Sequence, residues 1–254
     1  MTAENYVYCW GYGASGALGR NNTTSSPTPV MVVQGGVPNG VTAKDISAGG
    51  SNTCILGSNN RAYCWGSGTS GENGDGTNSQ RNAPVAVAQG EMPTGTNIRE
   101  VSVGGNHSCA VSEANQSYCW GSGVNGRLGV NSISNSNIPL ATYQPSIAFS
   151  RVWAGTGSTC ATTTTGVGYC WGNNNAGQLG INNTSTWYIP IIMQNGAKPT
   201  DVTFKEIKSG NTHACGVTSD TSVYCWGRNT QGTLGNGSTT ASLVPVKAND
   251  VPAS

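Results

Sequence analysis

The tetrapeptide Tyr-Cys-Trp-Gly returns five times along this chain, at residues 8–11, 63–66, 118–121, 169–172 and 224–227. Its cysteines lie 55, 55, 51 and 55 residues apart, a spacing that marks an array of one small unit. A recurring unit of this size cannot bury its own apolar face and must stack on its neighbours, so the repeat constrains the fold before any chemistry does. Only 9% of the 254 residues are charged, 37 are glycine, and no amphipathic helical period accompanies the repeat, so the unit is read as strands and turns. No composition shift interrupts the array, and residues 1–254 are read as a single domain.

The order of signals inside each unit is constant. Tyr-Cys-Trp-Gly leads into a glycine-rich stretch (13–19, 123–129, 175–180), where glycine supplies positive φ and close backbone approach. A polar loop follows, and then a strand containing proline: Pro29-Val30-Met31, Pro84-Val85-Ala86, Ile138-Pro139-Leu140, Ile189-Pro190-Ile191 and Val244-Pro245-Val246. Proline is expected at the start of these strands, and their apolar residues are expected to line the core. A hairpin half ending in Gly-x-x-x-x-Cys occurs four times, at 46–54, 101–109, 152–160 and 207–215.

Taken together, Gly-x-x-His-x-Cys-Ala, Tyr-Cys-Trp-Gly, Gly-x-Leu-Gly and the proline strand resemble the RCC1-type repeat family (regulator of chromosome condensation), in particular its bacterial, disulfide-bearing members. The resemblance spans nearly the whole chain and implies an all-β fold, a β-propeller built of RCC1-like repeats, with four complete units plus a half unit starting near 8, 63, 118, 169 and 224. Family members commonly close a ring of seven blades. Here residues 6–33 and 223–247 carry the same half, so the two ends cannot complete each other. The expectation is a piece of a longer array, or an open arc whose edge is covered by further repeats or an oligomer partner. A compact five-bladed ring is the alternative.

The nine cysteines follow the same arithmetic. Cys54 and Cys64, Cys109 and Cys119, Cys160 and Cys170, and Cys215 and Cys225 are each ten apart, with a turn midway, which places each pair opposite in a two-stranded hairpin. Four cross-strand disulfides are expected, and with them an oxidising compartment: periplasm, cell surface or extracellular space. The alternatives are buried free thiols, since cysteine is a good small core residue, or a metal site, for which ten-residue spacing is too long. Cys9 is left unpaired; the family pattern would put its partner before residue 1, and an intermolecular thiol is the rival reading.

Chemistry is hard to find elsewhere. The two histidines, His107 and His213, occupy the same place in equivalent repeats, where other copies hold Asn52 and Ser158, which points to hydrogen bonding in a turn. No nucleophile elbow, dinucleotide fingerprint or calcium loop is present; Asn73-Gly74-Asp75-Gly76 offers too few carboxylates and is read as a tight turn. No catalytic residue, cofactor or metal is expected. With 12 basic and 11 acidic residues, a net charge of +1 and no basic cluster, the electrostatic footprint of a nucleic-acid binder is missing. No run of about 18 apolar residues suggests membrane insertion, and residues 1–5 lack the basic and apolar regions of a signal peptide. Sequons at Asn22, Asn106, Asn115, Asn183 and Asn236 are read as chance in Asn- and Ser-rich loops.

The units differ most in the loops 21–26, 75–82, 131–137, 182–188 and 236–242. Variable loops on a constant frame suit recognition. Trp187, Tyr188, Tyr12 and Tyr143 are off-pattern aromatics and candidate anchors; Trp153 is another, read as packing because it lies in a strand pattern, and the five Trp of Tyr-Cys-Trp-Gly are read as core. The function expected is a non-enzymatic extracellular recognition or adhesion module binding a protein or glycan on another cell or envelope. Two other readings stay open: a secreted inhibitor of an enzyme, since a bacterial protein of similar repeats inhibits β-lactamase, and the nucleotide-exchange and chromatin role for which the family is named.

Overall fold

Alternating β-branched and small residues punctuated by glycine turns give eighteen strands in a computed structural model that describes residues 6–143 and 146–249. The segment 1–5, weighed above for a signal peptide, lies outside the described residues. Strands β1 (Tyr8–Gly11) and β2 (Ser26–Met31) form a two-stranded sheet. Four antiparallel four-stranded sheets follow. They are β3 (Ala43–Gly49), β4 (Asn52–Gly57), β5 (Ala62–Gly66) and β6 (Arg81–Ala86); then β7 (Ile98–Val103), β8 (His107–Ser112), β9 (Ser117–Gly121) and β10 (Ser136–Ala141). Next come β11 (Phe149–Ala154), β12 (Ser158–Thr163), β13 (Gly168–Gly172) and β14 (Trp187–Ile192), and finally β15 (Phe204–Ser209), β16 (His213–Thr218), β17 (Val223–Gly227) and β18 (Ser242–Lys247). Each four-stranded sheet is one propeller blade and the two-stranded sheet is half of one, and together they form an open, incomplete propeller. Two 3-10 turns, Ala14–Gly16 and Val124–Gly126, are the helical elements among the described residues.

Hairpin register places each cysteine pair face to face: Cys54 opposes Cys64, Cys109 opposes Cys119, Cys160 opposes Cys170, and Cys215 opposes Cys225. All four pairs are disulfides, with Cα atoms 4.0 to 4.1 Å apart, and Cys9 is a free thiol. This is the close spacing of directly opposed residues in a non-hydrogen-bonded pair of an antiparallel ladder, where the side chains approach most nearly. The glycine that ends Tyr-Cys-Trp-Gly has a geometric reason: Gly66 has φ +113°, and a Cβ there would come within 2.1 Å of the Ser51 carbonyl oxygen.

The core lies between blades. Cys54 and Cys64 pack with Val101, Tyr118 and Trp120 of the next blade; Cys109 and Cys119 with Phe149, Val152 and Trp171; Cys160 and Cys170 with Ile207, Tyr224 and Trp226. Three of the four disulfides therefore lie under the tryptophan of the following blade, and the fourth, Cys215–Cys225, is on the last described blade. The first strands of successive blades, β3, β7, β11 and β15, run beside one another. There the Val103 N–H donates to Ser47 Oγ (2.9 Å) and the Ala154 N–H to Ser102 Oγ (3.0 Å), so a serine of one blade satisfies the free strand edge of the next.

Two expectations are corrected. The proline strands do not line the core: they are the outermost strands, β2, β6, β10, β14 and β18, and most of their residues are partly or fully exposed. Their prolines lie inside the strand rather than at its start, which an outer edge tolerates because a missing N–H faces no further strand. The first tryptophan is not core either. Trp65, Trp120, Trp171 and Trp226 are fully buried, but Trp10 is 62% exposed, because no blade precedes its own among the described residues.

Candidate functional site

The turns and variable loops are held by a repeated set of bonds. In each complete blade the tryptophan Nε1–H donates to a carbonyl in the preceding unit's glycine turn: Trp65 to Ala17, Trp120 to Glu72, Trp171 to Arg127 and Trp226 to Gln178, at 2.8 to 2.9 Å. The loop that follows the turn donates a backbone N–H to the next blade's outer strand: Asn21 to Asn82, Gly76 to Asn137, Asn131 to Tyr188 and Asn182 to Leu243. Asn21, Asn131 and Asn182 adopt φ of 58° to 62° at this position and Gly76 takes 84°, so Asn or Gly is needed there. Buried Asn174 and Asn229 tie down the loops from within, the former donating to the Asn183 and Ser185 carbonyls. The loops are thus fixed by backbone bonds, and their outward side chains are free to vary.

On this frame three exposed apolar residues fall on one glycine turn, its loop and the outer strand of the next blade. Tyr188, at the start of β14, lies against the bare Cα of Gly126: a Cβ at that glycine would meet Tyr188 Cδ1 at 2.3 Å. Two residues earlier in the same turn stands Val124, and a Cβ at the adjacent Gly123 would come within 2.9 Å of the Ile133 carbonyl carbon. Val124, Ile133 and Tyr188 are 50%, 59% and 44% exposed. The equivalent places in other repeats hold Ala14, Thr69, Asn175 and Thr230 for Val124, and Thr23, Asn78, Thr184 and Thr239 for Ile133. Val124 and Ile133 were not singled out by reading the sequence; aligning the repeats against one another exposes them as apolar residues in small or polar columns.

The other predicted anchors are dispersed. Trp187 is half-buried and packs on the cluster containing Leu179 and Trp226, with its indole N–H buried and unpartnered. Tyr143 stands past the end of β10, exposed, its N–H on the Gly129 carbonyl. Tyr12 is exposed beside Trp10 at the β1 end of the array. Trp153 is buried in the core with the Lys208 amine 5.7 Å from its ring. Asp75 sits in a tight turn, accepting from Thr77 and pairing with Arg81 at 2.5 Å. Among the described residues no three metal-ligating side chains cluster, and no helix is long and apolar enough to cross a membrane.

Two titratable groups are displaced by burial. His107 is enclosed, its Nε2 2.8 Å from Thr159 Oγ1 and its Nδ1 without a partner. Burial, aided by the nearby Arg127 charge, lowers its pKa from 6.5 to about 3. Because the folded state disfavours the proton, the stability this residue contributes is present above pH 6.5 and is lost as pH falls towards 3. H107N, which installs the residue of the equivalent Asn52 position, is expected to lose about 3 kcal/mol less stability than the parent between pH 6.5 and 4, read from denaturant titrations at both values. Glu100 acts in the opposite sense: burial raises its pKa to about 7 against the pull of Arg151 and Lys208, so its contribution is full below pH 4.5 and is lost as pH rises through 7.

The sequence pattern of the RCC1-like domain matches residues 1–254. The chain belongs to the RCC1-like family. It is 30% identical over 238 residues to the ultraviolet-B receptor UVR8 of Arabidopsis thaliana, covering 93% of this chain and 52% of that protein. It is 26% identical over 248 residues to the human E3 ubiquitin-protein ligase HERC2, covering 96% of this chain and 5% of that one. The chain thus spans about half the length of UVR8 and a small part of HERC2. Two solved structures share the fold: human WBSCR16, with a TM-score of 0.86 at 20% identity over 99% of this chain and 64% of that one, and yeast RCC1 (Prp20) bound to Kap60, with 0.83 at 22% over 99% and 61%.

Proposed function

We propose that this RCC1-like chain is a non-enzymatic recognition module that binds a protein through Val124, Ile133 and Tyr188, and that it works in an oxidising compartment: extracellular, at a cell surface or in a periplasm. The observation that carries the reading is that three exposed apolar side chains stand on one turn, its following loop and the outer strand packed against that turn, where the other repeats place mainly small or polar ones. A protein partner accords with the solved yeast relative, described as bound to Kap60 and, in a second structure, by its binding to Gsp1p and histones. The four disulfides support the compartment.

The test is a triple variant that installs residues other repeats carry at these places, Val124→Thr, Ile133→Thr and Tyr188→Asn. Its thermal transition is expected to match the parent, since all three side chains are exposed, while binding to arrayed cell-surface and envelope proteins weakens about tenfold or more. Equal binding by parent and variant, or binding by neither, overturns the reading; selective capture on a glycan array moves the partner class from protein to sugar.

A further inference from the structure

The link from β14 to β15 carries a lysine where its counterparts carry apolar residues. The same turn recurs in three links, with the N–H groups of Val37, Met92 and Lys198 donating to the carbonyls of Gln34, Gln89 and Asn195, so these three residues are equivalent. Met92 packs in the core between its blades, and Lys198 is buried as well. Its amine donates to the carbonyls of Pro199 (3.0 Å) and Val202 and stands 5.4 Å from the centre of the Phe204 ring. An ammonium has three N–H donors, and the third has no protein acceptor among the described residues. Nor does a carboxylate come within ion-pair distance there; Asp201 and Asp220 act on the amine from farther off. A buried cation held by neutral carbonyls and a ring face lacks the counter-charge that offsets its lost hydration.

The same lysine lines a cleft of about 240 Å³ between the β11–β14 and β15–β18 blades, together with Val167, Gly168, Ile192, Met193 and Phe204. Met193 and Phe204 are buried, and Val167 and Ile192 are exposed. The counterpart one link earlier in the repeat pattern, around Ala62, Met92 and Ile98, holds about 20 Å³. Two differences in sequence separate them. Gly168 stands where the other repeats place Ala62, Ser117 and Val223, and a Cβ there would come within 2.8 Å of the Met193 sulfur, so the sulfur reaches this wall because the glycine has no side chain. Lys198 stands where Met92 does, but its amine is turned onto its own loop at Pro199 and Val202 instead of packing between the blades.

We infer that this cleft is a binding site for a small organic carboxylate, with the Lys198 amine pairing the carboxylate and Val167, Ile192, Met193 and Phe204 taking a compact apolar body. The uncompensated cation sets the charge of the ligand, and the side chains around it set the character of the rest. Size agrees, since an apolar cavity of about 150 Å³ accepts benzene, and the cleft is larger. The site lies apart from Val124, Ile133 and Tyr188, so either assignment stands or falls without the other.

The experiment uses the full oxidised chain carrying carbon-13 methionine methyl groups, titrated with benzoate and with benzamide, its neutral isostere. Met193 reports the cleft, Met92 its small counterpart and Met31 an exposed outer strand; the Met193 resonance is assigned by its loss in Met193→Leu. Benzoate is expected to shift that resonance saturably, with half-saturation at about 0.1–1 mM for a ligand of about nine non-hydrogen atoms, and to leave Met31 and Met92 unmoved. Benzamide is expected to bind about tenfold more weakly or worse, because it brings no charge to the amine. No saturable shift at Met193, an equal response to benzamide, or matching shifts at Met31 and Met92 overturns the inference.

A second measurement tests the anchor. Lys198→Met installs the residue of the equivalent Met92 position and removes the cation. Its thermal transition is expected to be no lower than the parent's, while benzoate affinity falls about tenfold or more and the preference over benzamide disappears. Equal benzoate affinity in parent and variant excludes Lys198 as the anchor. If the variant does not fold, the parent's preference between benzoate and benzamide decides the matter by itself.

Discussion

Reduction of the four disulfides is expected to unfold most of the array. Each spans ten residues, and closing a loop of that length contributes about 2–3 kcal/mol in the chain-entropy model, so together they reach about 10 kcal/mol. That is comparable with the whole stability of a typical domain, about 5–15 kcal/mol. The loss is sharpened by their location, because six of the eight sulfur-bearing residues are fully buried in cores shared by adjacent blades. The order of opening is also expected. Cys215 is the least covered, on the last described blade, so Cys215–Cys225 is reduced first. Graded reduction, alkylation and intact mass read both points: one free thiol, Cys9, before reductant, then alkylation at Cys215 and Cys225 before collapse of the circular dichroism. Nine reactive thiols in protein taken from its own compartment would remove the disulfides and the argument for an oxidising location together.

The second large effect separates two tryptophans that are identical in local sequence. Trp120→Ala is expected to cost about 3–5 kcal/mol, because a fully buried indole is replaced by a cavity and the Glu72 carbonyl loses its 2.9 Å donor. Trp10→Ala, in the same Tyr-Cys-Trp-Gly motif, is expected to change stability by less than about 0.5 kcal/mol, since the side chain is mostly in solvent. Urea titrations of both variants under oxidising conditions measure the difference. A comparable loss in the two would mean that Trp10 is covered in solution.

Much of this was legible in the residues because the repeat supplies internal comparisons. Cysteines ten apart around a turn lie opposite each other whatever surrounds the hairpin, so the pairing followed from strand geometry alone. Glycines of the stretch after Tyr-Cys-Trp-Gly, such as Gly16, Gly126 and Gly177, marked positive φ for the same local reason. The proline strands misled, since alternating apolar residues look alike whether a strand faces a core or forms the rim; only the order of strands in the sheet separates the two. Of the candidate binding residues, Tyr188 was brought against the Gly126 turn that carries Val124 by a contact between blades, while Trp187, one residue away, turned inward because successive strand residues point to opposite faces.

By itself, then, the sequence determined the unit: its strands, turns, disulfide partners and membership of a repeating array, all set by interactions within about thirty residues of chain. The tertiary structure alone decided what each unit's outer face meets. Burial of Trp120 and exposure of Trp10, the rim position of the proline strands, and the approach of Tyr188 to the Gly126 turn depend on which blade stands next and on how closely it packs. Such contacts join residues some fifty positions apart, and local propensity has no term for them.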